Sequence, residues 1–199
     1  MLAVAVESNN VYYRLGLIHL IEQISQVKPL DDYQILPQHV PRLSETANII
    51  FTENAAIINS GLHNNSSGKS PGKAEHGAAF HLTFNAAGLF IEDACNFISR
   101  IFTAAGLILA GMDQREFYRS LKVRKNAQLS DAEKRLVMLS GYGHDIVNIS
   151  RIMHCSPNSS YTYRRNAMKK LGMDNRLQFY KYVQVLARFK QHNNIFICL

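Results

Sequence analysis

The feature that most limits the fold of this chain is the spacing of helix starts and stops beyond residue 128. Ser130 stands three residues ahead of Glu133, the arrangement of a capping box, in which hydroxyl and carboxylate each satisfy a backbone N–H of the first turn. Leu136, Val137 and Leu139 then supply an apolar face, and Gly141 and Gly143 stop the helix early. A second helix, from about Asp145 to Met153, buries Ile146, Ile149 and Ile152 or Met153, after which His154, Cys155 and Ser156 turn the chain. A third runs from about Pro157 or Asn158 to Leu171, and Gly172 ends it at the position that favours positive φ. Asn175 to about Lys190 makes a fourth, with Phe179, Tyr182, Val183 and Leu186 on one stripe. This predicts an all-α unit of four helices over residues 129–199.

The pattern before that unit is different. Leu2 to Val6 is short, apolar and valine-rich, as expected of a buried strand, and Val11 to Ile24 places Leu17, Ile18, Ile21 and Ile24 at helical spacing. Tyr33 to Leu36, Asn48 to Thr52 and Ala78 to Thr83 read as further strands, Leu89 to Phe102 as a helix, Gly106 to Ala110 as a strand and Asp113 to Leu121 as a short helix. Strands alternating with helices predict an α/β domain with a parallel sheet over residues 1–121. Residues 60–77, dominated by Ser, Gly, Asn, Lys and Pro, bury too little apolar surface to offset ordering entropy and read as a mobile loop. Lys122 to Gln128, polar and basic, is the expected linker.

Charge separates the two units further. The net charge is +7, yet fourteen of the 22 Lys and Arg lie beyond residue 121, opposed there only by Asp131, Glu133, Asp145 and Asp174. A basic unit beside a mildly acidic one is the electrostatic footprint of a polyanion binder, because cations that neutralise phosphates release condensed counterions. A membrane surface would call for bulky apolar residues opposite the charges. The densest basic segment, Tyr161 to Lys170, is instead polar on most sides. No apolar run approaches the ~20 residues of a membrane span. The opening Met1 to Val6 lacks the basic flank and apolar length of a secretory signal, so a cytoplasmic protein, nucleoid-associated when on DNA, is expected.

Two short helices joined by a tight turn, the second rich in Arg and Lys, are the parts of a helix-turn-helix, whose second helix enters the major groove of double-stranded DNA. Helical spacing puts Tyr161, Thr162, Arg165 and Lys169 on one surface, while Ala167, Met168 and Leu171 can face inward. Arginine can bond bidentately to guanine and a threonine methyl can touch thymine. Arg164, Lys169 and Lys170 suit phosphates, and Ser159 and Ser160 can donate to phosphate at the helix N-terminus. Asn166 completes the expected contact set.

Gln128 to Gln178 resembles the LuxR/FixJ-type helix-turn-helix output domain, on Leu129, Ser130, Glu133, Leu136, Leu139, Gly143, Ile146, Ile149, Met153, Ser156, Lys170, Leu171, Gly172 and Arg176. The family's Thr-Val at the start of the recognition helix is Ser159-Ser160 here, and its frequent histidine is Tyr163. Tyr161 to Ala167 resembles, within that family, regulators of fimbrial operons in enteric bacteria. The resemblance implies a transcription regulator of fimbrial genes in which Tyr161, Thr162 and Arg165 hold groove-reading positions and the helix after Asp174 dimerises. Its partner would be a second copy or another LuxR-type regulator. The alternative is a protein-interaction regulator acting mainly by such heterodimerisation.

The first half resembles a response-regulator receiver, on Arg14-Leu15-Gly16-Leu17 and the strand Asn48 to Glu53. Its chemistry is missing. Ser8 and Asn9 stand where a receiver holds two acidic residues for magnesium, Glu53 occupies the phosphoacceptor position, and Ala110 falls where a lysine pairs with the phosphoryl group. Thr83 alone keeps a receiver-like identity. A degenerate receiver, not switched by aspartyl phosphorylation, is the expectation.

Other chemistry finds no footing. Gly68-Lys69-Ser70 resembles the end of a phosphate-binding loop, but the first required glycine falls on His63 and no helix pattern follows. The eight histidines include no HExxH pair, and Cys95, Cys155 and Cys198 are widely spaced, so no metal and no disulfide framework are expected. Glu92 and Asp93 are adjacent on a helix and diverge by ~100°. No cofactor and no enzymatic activity are expected.

Overall fold

The apolar strands of the first half are buried on both sides, and the fold follows from how the two faces are covered. The structure, a computed structural model, describes residues 1–27, 32–37, 43–60, 77–83, 89–111, 118–119, 121, 127–189 and 193–198. The described elements are β1 (Leu2–Val6), α1 (Val11–Val27), β2 (Tyr33–Ile35), α2 (Leu43–Thr46), β3 (Ile49–Phe51), β4 (Ala55–Asn59), β5 (Ala78–Thr83), α3 (Ile91–Leu109), α4 (Asp131–Gly141), α5 (Ile146–Ile152), α6 (Pro157–Lys170), α7 (Arg176–Leu186), a 3-10 turn at Ala187–Phe189 and β6 (Asn193–Cys198). The strands form one sheet in the order β2-β1-β3-β4-β5-β6.

The sheet is mixed, which corrects the parallel sheet expected from the alternating pattern. β1 runs parallel to β2 and β3, and β5 parallel to β6, but β4 is antiparallel to both β3 and β5. The reason is the short connection Thr52-Glu53-Asn54. A parallel crossover needs about a dozen residues, so only a hairpin can follow β3. The turn is closed by the Thr52 N–H donating to the Ala55 carbonyl at 2.8 Å and by the Ala55 N–H donating to the Thr52 hydroxyl at 3.1 Å.

Side chains alternate across the sheet with the period of two that a pleated strand imposes. On one face Val4, Ile49, Phe51, Ile58, Leu82 and Ile197 pack with Ile21 of α1 and Ile98, Ile101 and Phe102 of α3. On the other, Ala5, Ile50, Ile57 and Ala79 pack with Phe189 of the 3-10 turn and the partly buried Val185 of α7. The helical unit is thus the second cover of the sheet. His81, fully buried on β5, lies at the centre of this junction: its ring stacks on Phe196 at 5.3 Å and meets Tyr182 and Phe189 edge-on, and its Nε2 lies 2.8 Å from Asn194 Oδ1.

Three further differences from expectation have physical causes. Gly106 to Ala110, expected as a strand, belongs to α3 apart from the capping Ala110, because Ile101, Ala104, Ala105 and Ile108 continue its buried stripe. The chain from Asn193 to Cys198, expected within the helical unit, instead forms β6, where both of its faces are covered and Gln128 satisfies its end. The Gln128 side chain donates to the Cys198 carbonyl at 3.0 Å and accepts from its N–H at 2.9 Å. β4 was not expected as a strand, since Ala55 to Asn59 is flush with the hairpin and shows no alternation. Residues 61–76 of the expected loop, 122–126 of the expected linker and most of 113–121 lie outside the described residues. Among the described residues no helix is long and apolar enough to cross a membrane, and no group of three or more His, Cys, Asp or Glu could hold a metal.

Because Phe196 sits in the helical unit's core together with Ala55 of the sheet, Phe196→Ala is expected to lower stability by about 3–5 kcal/mol. Unfolding in urea, followed by far-UV dichroism and tyrosine fluorescence, is expected to remain a single coincident transition. Two separate transitions would contradict the shared core.

Candidate nucleic-acid interface

Each helix of the basic unit begins on a side chain suited to cap its first turn. Ser130, Asp145, Ser156 and Asn175 take extended backbone angles and accept the N–H of Glu133, Asn148, Ser159 and Gln178 respectively. Pro157 opens α6 where a missing N–H costs nothing. Gly143 and Gly172 adopt φ of +88° and +67° at the ends of α4 and α6. The turn between α5 and α6 is closed by His154 at φ +53°, a conformation few non-glycine residues adopt.

These caps fix α6 in rotation as well as position. Ala167 and Leu171 are fully buried, and Met168 and Tyr163 pack against the same core. Two of the residues expected to face DNA, Ser160 and Arg164, are buried with them, and a third, the half-buried Lys170, is turned to Glu133. Ser160 is fully buried, its hydroxyl 2.9 Å from that of Ser150 and 3.3 Å from the Cys155 sulfur. Arg164 is only 9% exposed; its guanidinium lies 5.0 Å from the Tyr161 ring centroid and donates to the Tyr180 hydroxyl at 3.4 Å. Lys170 donates to the buried Glu133 carboxylate at 2.7 Å. The helix is so polar that hydroxyl and guanidinium groups must fill part of its inner face, and each of the three has found a partner there.

The outward face is correspondingly sharp. Tyr161, Thr162, Arg165, Asn166 and Lys169 are all exposed and successive on the helix surface. The Thr162 hydroxyl donates back to the Asn158 carbonyl at 3.0 Å. Ser159 is half-buried at the first turn, its N–H donating to Ser156 Oγ at 3.1 Å. Arg165 and Lys169 carry cationic groups beside one aromatic ring and one amide on a single ridge. That is the mixture a duplex groove demands: charge for phosphate, and planar or apolar groups for base edges.

Glu133 ties this ridge to the rest of the unit. Its carboxylate accepts the Ser130 N–H at 2.7 Å, completing the capping box, and receives Lys170 from the last turn of α6. Burial pushes the Glu133 carboxyl up, but the hydrogen bonds from Lys170 and Ser130, with the Lys170 charge, outweigh it and hold the group below its ordinary value.

Ser8, Asn9 and Glu53, three of the positions expected to correspond to a receiver's phosphotransfer site, gather where β1 and β3 end. Glu53 lies in the β3–β4 turn, where it accepts the Ser8 hydroxyl at 2.7 Å and lies 3.6 Å from Lys181 of α7. Glu7 pairs with Arg188. With Asn9, Thr52, Asn54 and Gln184 these residues line a cleft of about 210 Å³ between the strand ends and α7. Tyr13 donates to the Thr52 carbonyl at 2.7 Å, and burial, with the Glu53 charge second, raises its phenol far above the usual range. Thr83 is buried beside β6, and Ala110 caps α3. Lys181, Arg188 and Tyr180 were invisible to sequence reasoning, because their partners lie far away in the chain and no local motif marks them.

No protein-family model matches the sequence, and no curated protein does. Among solved structures the chain is similar to the RcsB response regulator of Salmonella typhimurium, at 14% identity and a TM-score of 0.31, covering 92% of this chain and 98% of that one. It is also similar to RcsB from Salmonella enterica serovar Typhimurium bound to promoter rprA in the presence of phosphomimetic BeF3-, at 15% identity and a TM-score of 0.32, covering 94% and 100%.

A carboxyl held low stabilises the fold above its unfolded value of about 4.3, and that contribution is lost as pH falls through its lower folded value. Glu133→Gln is expected to cost about 1–3 kcal/mol at neutral pH and to flatten the acid decline of stability below pH ~4.3. Urea unfolding of both proteins between pH 7 and pH 3 measures this; parallel declines would show that Glu133 gains nothing from Lys170 and Ser130.

Proposed function

We propose that this protein is a DNA-binding transcription regulator of the LuxR/FixJ type that reads the major groove with α6 and is not controlled by aspartyl phosphorylation. The observation that carries the reading is the outward ridge of α6, where Tyr161, Thr162, Arg165, Asn166 and Lys169 stand exposed together while Ser160 and Arg164 are buried and the half-buried Lys170 is tied to Glu133. Arg165 is the base-reading arginine, Lys169 meets phosphate, and Ser159 lies where a phosphate approaches the helix N-terminus. In this reading the DNA-binding domain begins at residue 129 and yields β6 (Asn193–Cys198) to the sheet of the degenerate receiver-like domain, which otherwise spans 1–121, with 122–128 the linker.

The phosphoacceptor position supports the second clause. A glutamate in a hairpin turn, bonded to Ser8 and facing Lys181, with no second carboxylate at positions 8 and 9, offers neither a magnesium site nor an aspartate for phosphorus. Control falls instead to abundance or to partner choice. Leu177 and Tyr180, exposed by 65% and 48% on α7, form an apolar ridge suited to a second copy or to another LuxR-type regulator. The fimbrial genes proposed as targets rest on the resemblance of Tyr161 to Ala167, and the cytoplasm, with the nucleoid, is the proposed location. No catalytic role is proposed.

Arg165→Ala is expected to weaken binding to a duplex enriched by the wild-type chain from a randomised pool by about 1–3 kcal/mol, with relaxed base preference. Gel shifts over a salt series measure it. Unchanged affinity and salt dependence would remove Arg165 from the groove.

A further inference from the structure

We propose that Arg164 is a positioning residue for base recognition: buried beneath the outward ridge of α6, it fixes the ring of Tyr161 as a groove-reading group and touches no phosphate itself. The inference rests on the reading of α6 as a major-groove helix.

A cation in the middle of a basic helix belongs, by default, on its solvated face. Arg164 departs from that default. It is buried, and among the described residues no carboxylate lies within ion-pair reach of it. Taking a guanidinium out of water is costly unless other groups replace the lost hydration. Here two tyrosines do so. Tyr161, one helical turn away, offers its ring face at 5.0 Å, and Tyr180 of α7 offers its hydroxyl at 3.4 Å. A planar guanidinium suits both at once, since it can stack on a ring while its edge donates. The attraction between cation and ring strengthens as water is excluded.

The consequence falls on Tyr161. The residue is 45% exposed while its ring lies under the Arg164 guanidinium, so the side chain is held on Arg164 and still reaches solvent. A free tyrosine on a helix surface must be ordered when it binds, whereas one pinned against a buried cation is already in place and loses less freedom. The chain of support runs from α7 through Tyr180 to Arg164 and then to Tyr161. The pinned ring presents an apolar edge suited to a thymine methyl and a hydroxyl suited to a base edge.

The test uses the full-length chain, a duplex that the wild type enriches from a randomised pool, and an unselected duplex of equal length. Discrimination is the ratio of the two dissociation constants. Arg164→Gln and Tyr161→Ala are each expected to lower discrimination about tenfold, the scale of one lost base-pair preference, and the double variant to lower it no further. The slope of log Kd against log salt for Arg164→Gln is expected to match the wild type. A slope reduced by about one, with equal weakening on both duplexes, would make Arg164 a phosphate contact and overturn the proposal; so would additive losses in the double variant. If thermal melting shows that Arg164→Gln does not fold, Tyr180→Phe, which removes only the accepting hydroxyl, replaces it: lower discrimination at unchanged salt slope supports the proposal, and wild-type discrimination overturns it. If the wild type enriches no sequence at all, the major-groove reading itself fails. Wild-type discrimination that survives unchanged in folded Arg164→Gln overturns this proposal alone.

Discussion

A sheet that is apolar on both faces needs two covers, and the described helices of the first half provide only one. α1 and α3 cover the face that carries Val4, Phe51 and Leu82. The opposite face, with Ile50, Ile57 and Ala79, is closed by Val185 within the last helix of the basic unit and by Phe189 in the 3-10 turn that follows it. The rest of the structure depends on that contact. It brings β6 back along β5, puts His81 among Tyr182, Phe189 and Phe196, and sets Lys181 and Arg188 against the strand ends where Glu53 and Glu7 lie. The exposed ion pairs add little to such a junction, since surface pairs are worth about 0–1 kcal/mol; apolar burial at about 25 cal/mol per Å² does most of the work.

The same junction orients α6. α7 packs on the sheet with one side and offers Tyr180 to Arg164 with another, while Lys170 is held by Glu133 of α4. α6 is therefore gripped from two directions. Its polar composition gives it too few apolar residues for a conventional inner face, and buried hydroxyl and guanidinium groups make up the difference. Beyond the exposed first-turn residues Pro157 and Asn158, what remains fully outside is a narrow ridge of five residues with both charged and planar groups.

Local signals made much of this legible. The capping box at Ser130 and Glu133, the glycines at 143 and 172 and the stripe from Phe179 to Leu186 all mark features that depend on neighbours a few positions away. Direction and side were harder. The antiparallel course of β4 follows from a turn of three residues between two runs with no alternation, because strands buried on both faces show none. A search for two apolar runs around Thr52-Glu53-Asn54 could have found that hairpin. β6 carries an apolar Ile-Phe-Ile run that a strand reading fits, yet its place beside β5 is a long-range fact. Ser160, Arg164 and Lys170 were expected on DNA because their chemistry suits it. Only the three-dimensional partners place Ser160 beside Ser150 and Arg164 between Tyr161 and Tyr180 in the interior, and turn Lys170 to Glu133.

The central claim is that α6 enters the major groove with Tyr161 leading. Photocrosslinking tests it most directly: 5-iodouracil replaces single thymines in the enriched duplex, putting the halogen where the thymine methyl lies in the major groove, and the crosslinked peptides are mapped. The account predicts adducts within residues 159–169, with Tyr161 among them, and none in the sheet. Adducts confined to α1, α3 or the strands, with α6 unlabelled at every position tried, would contradict it.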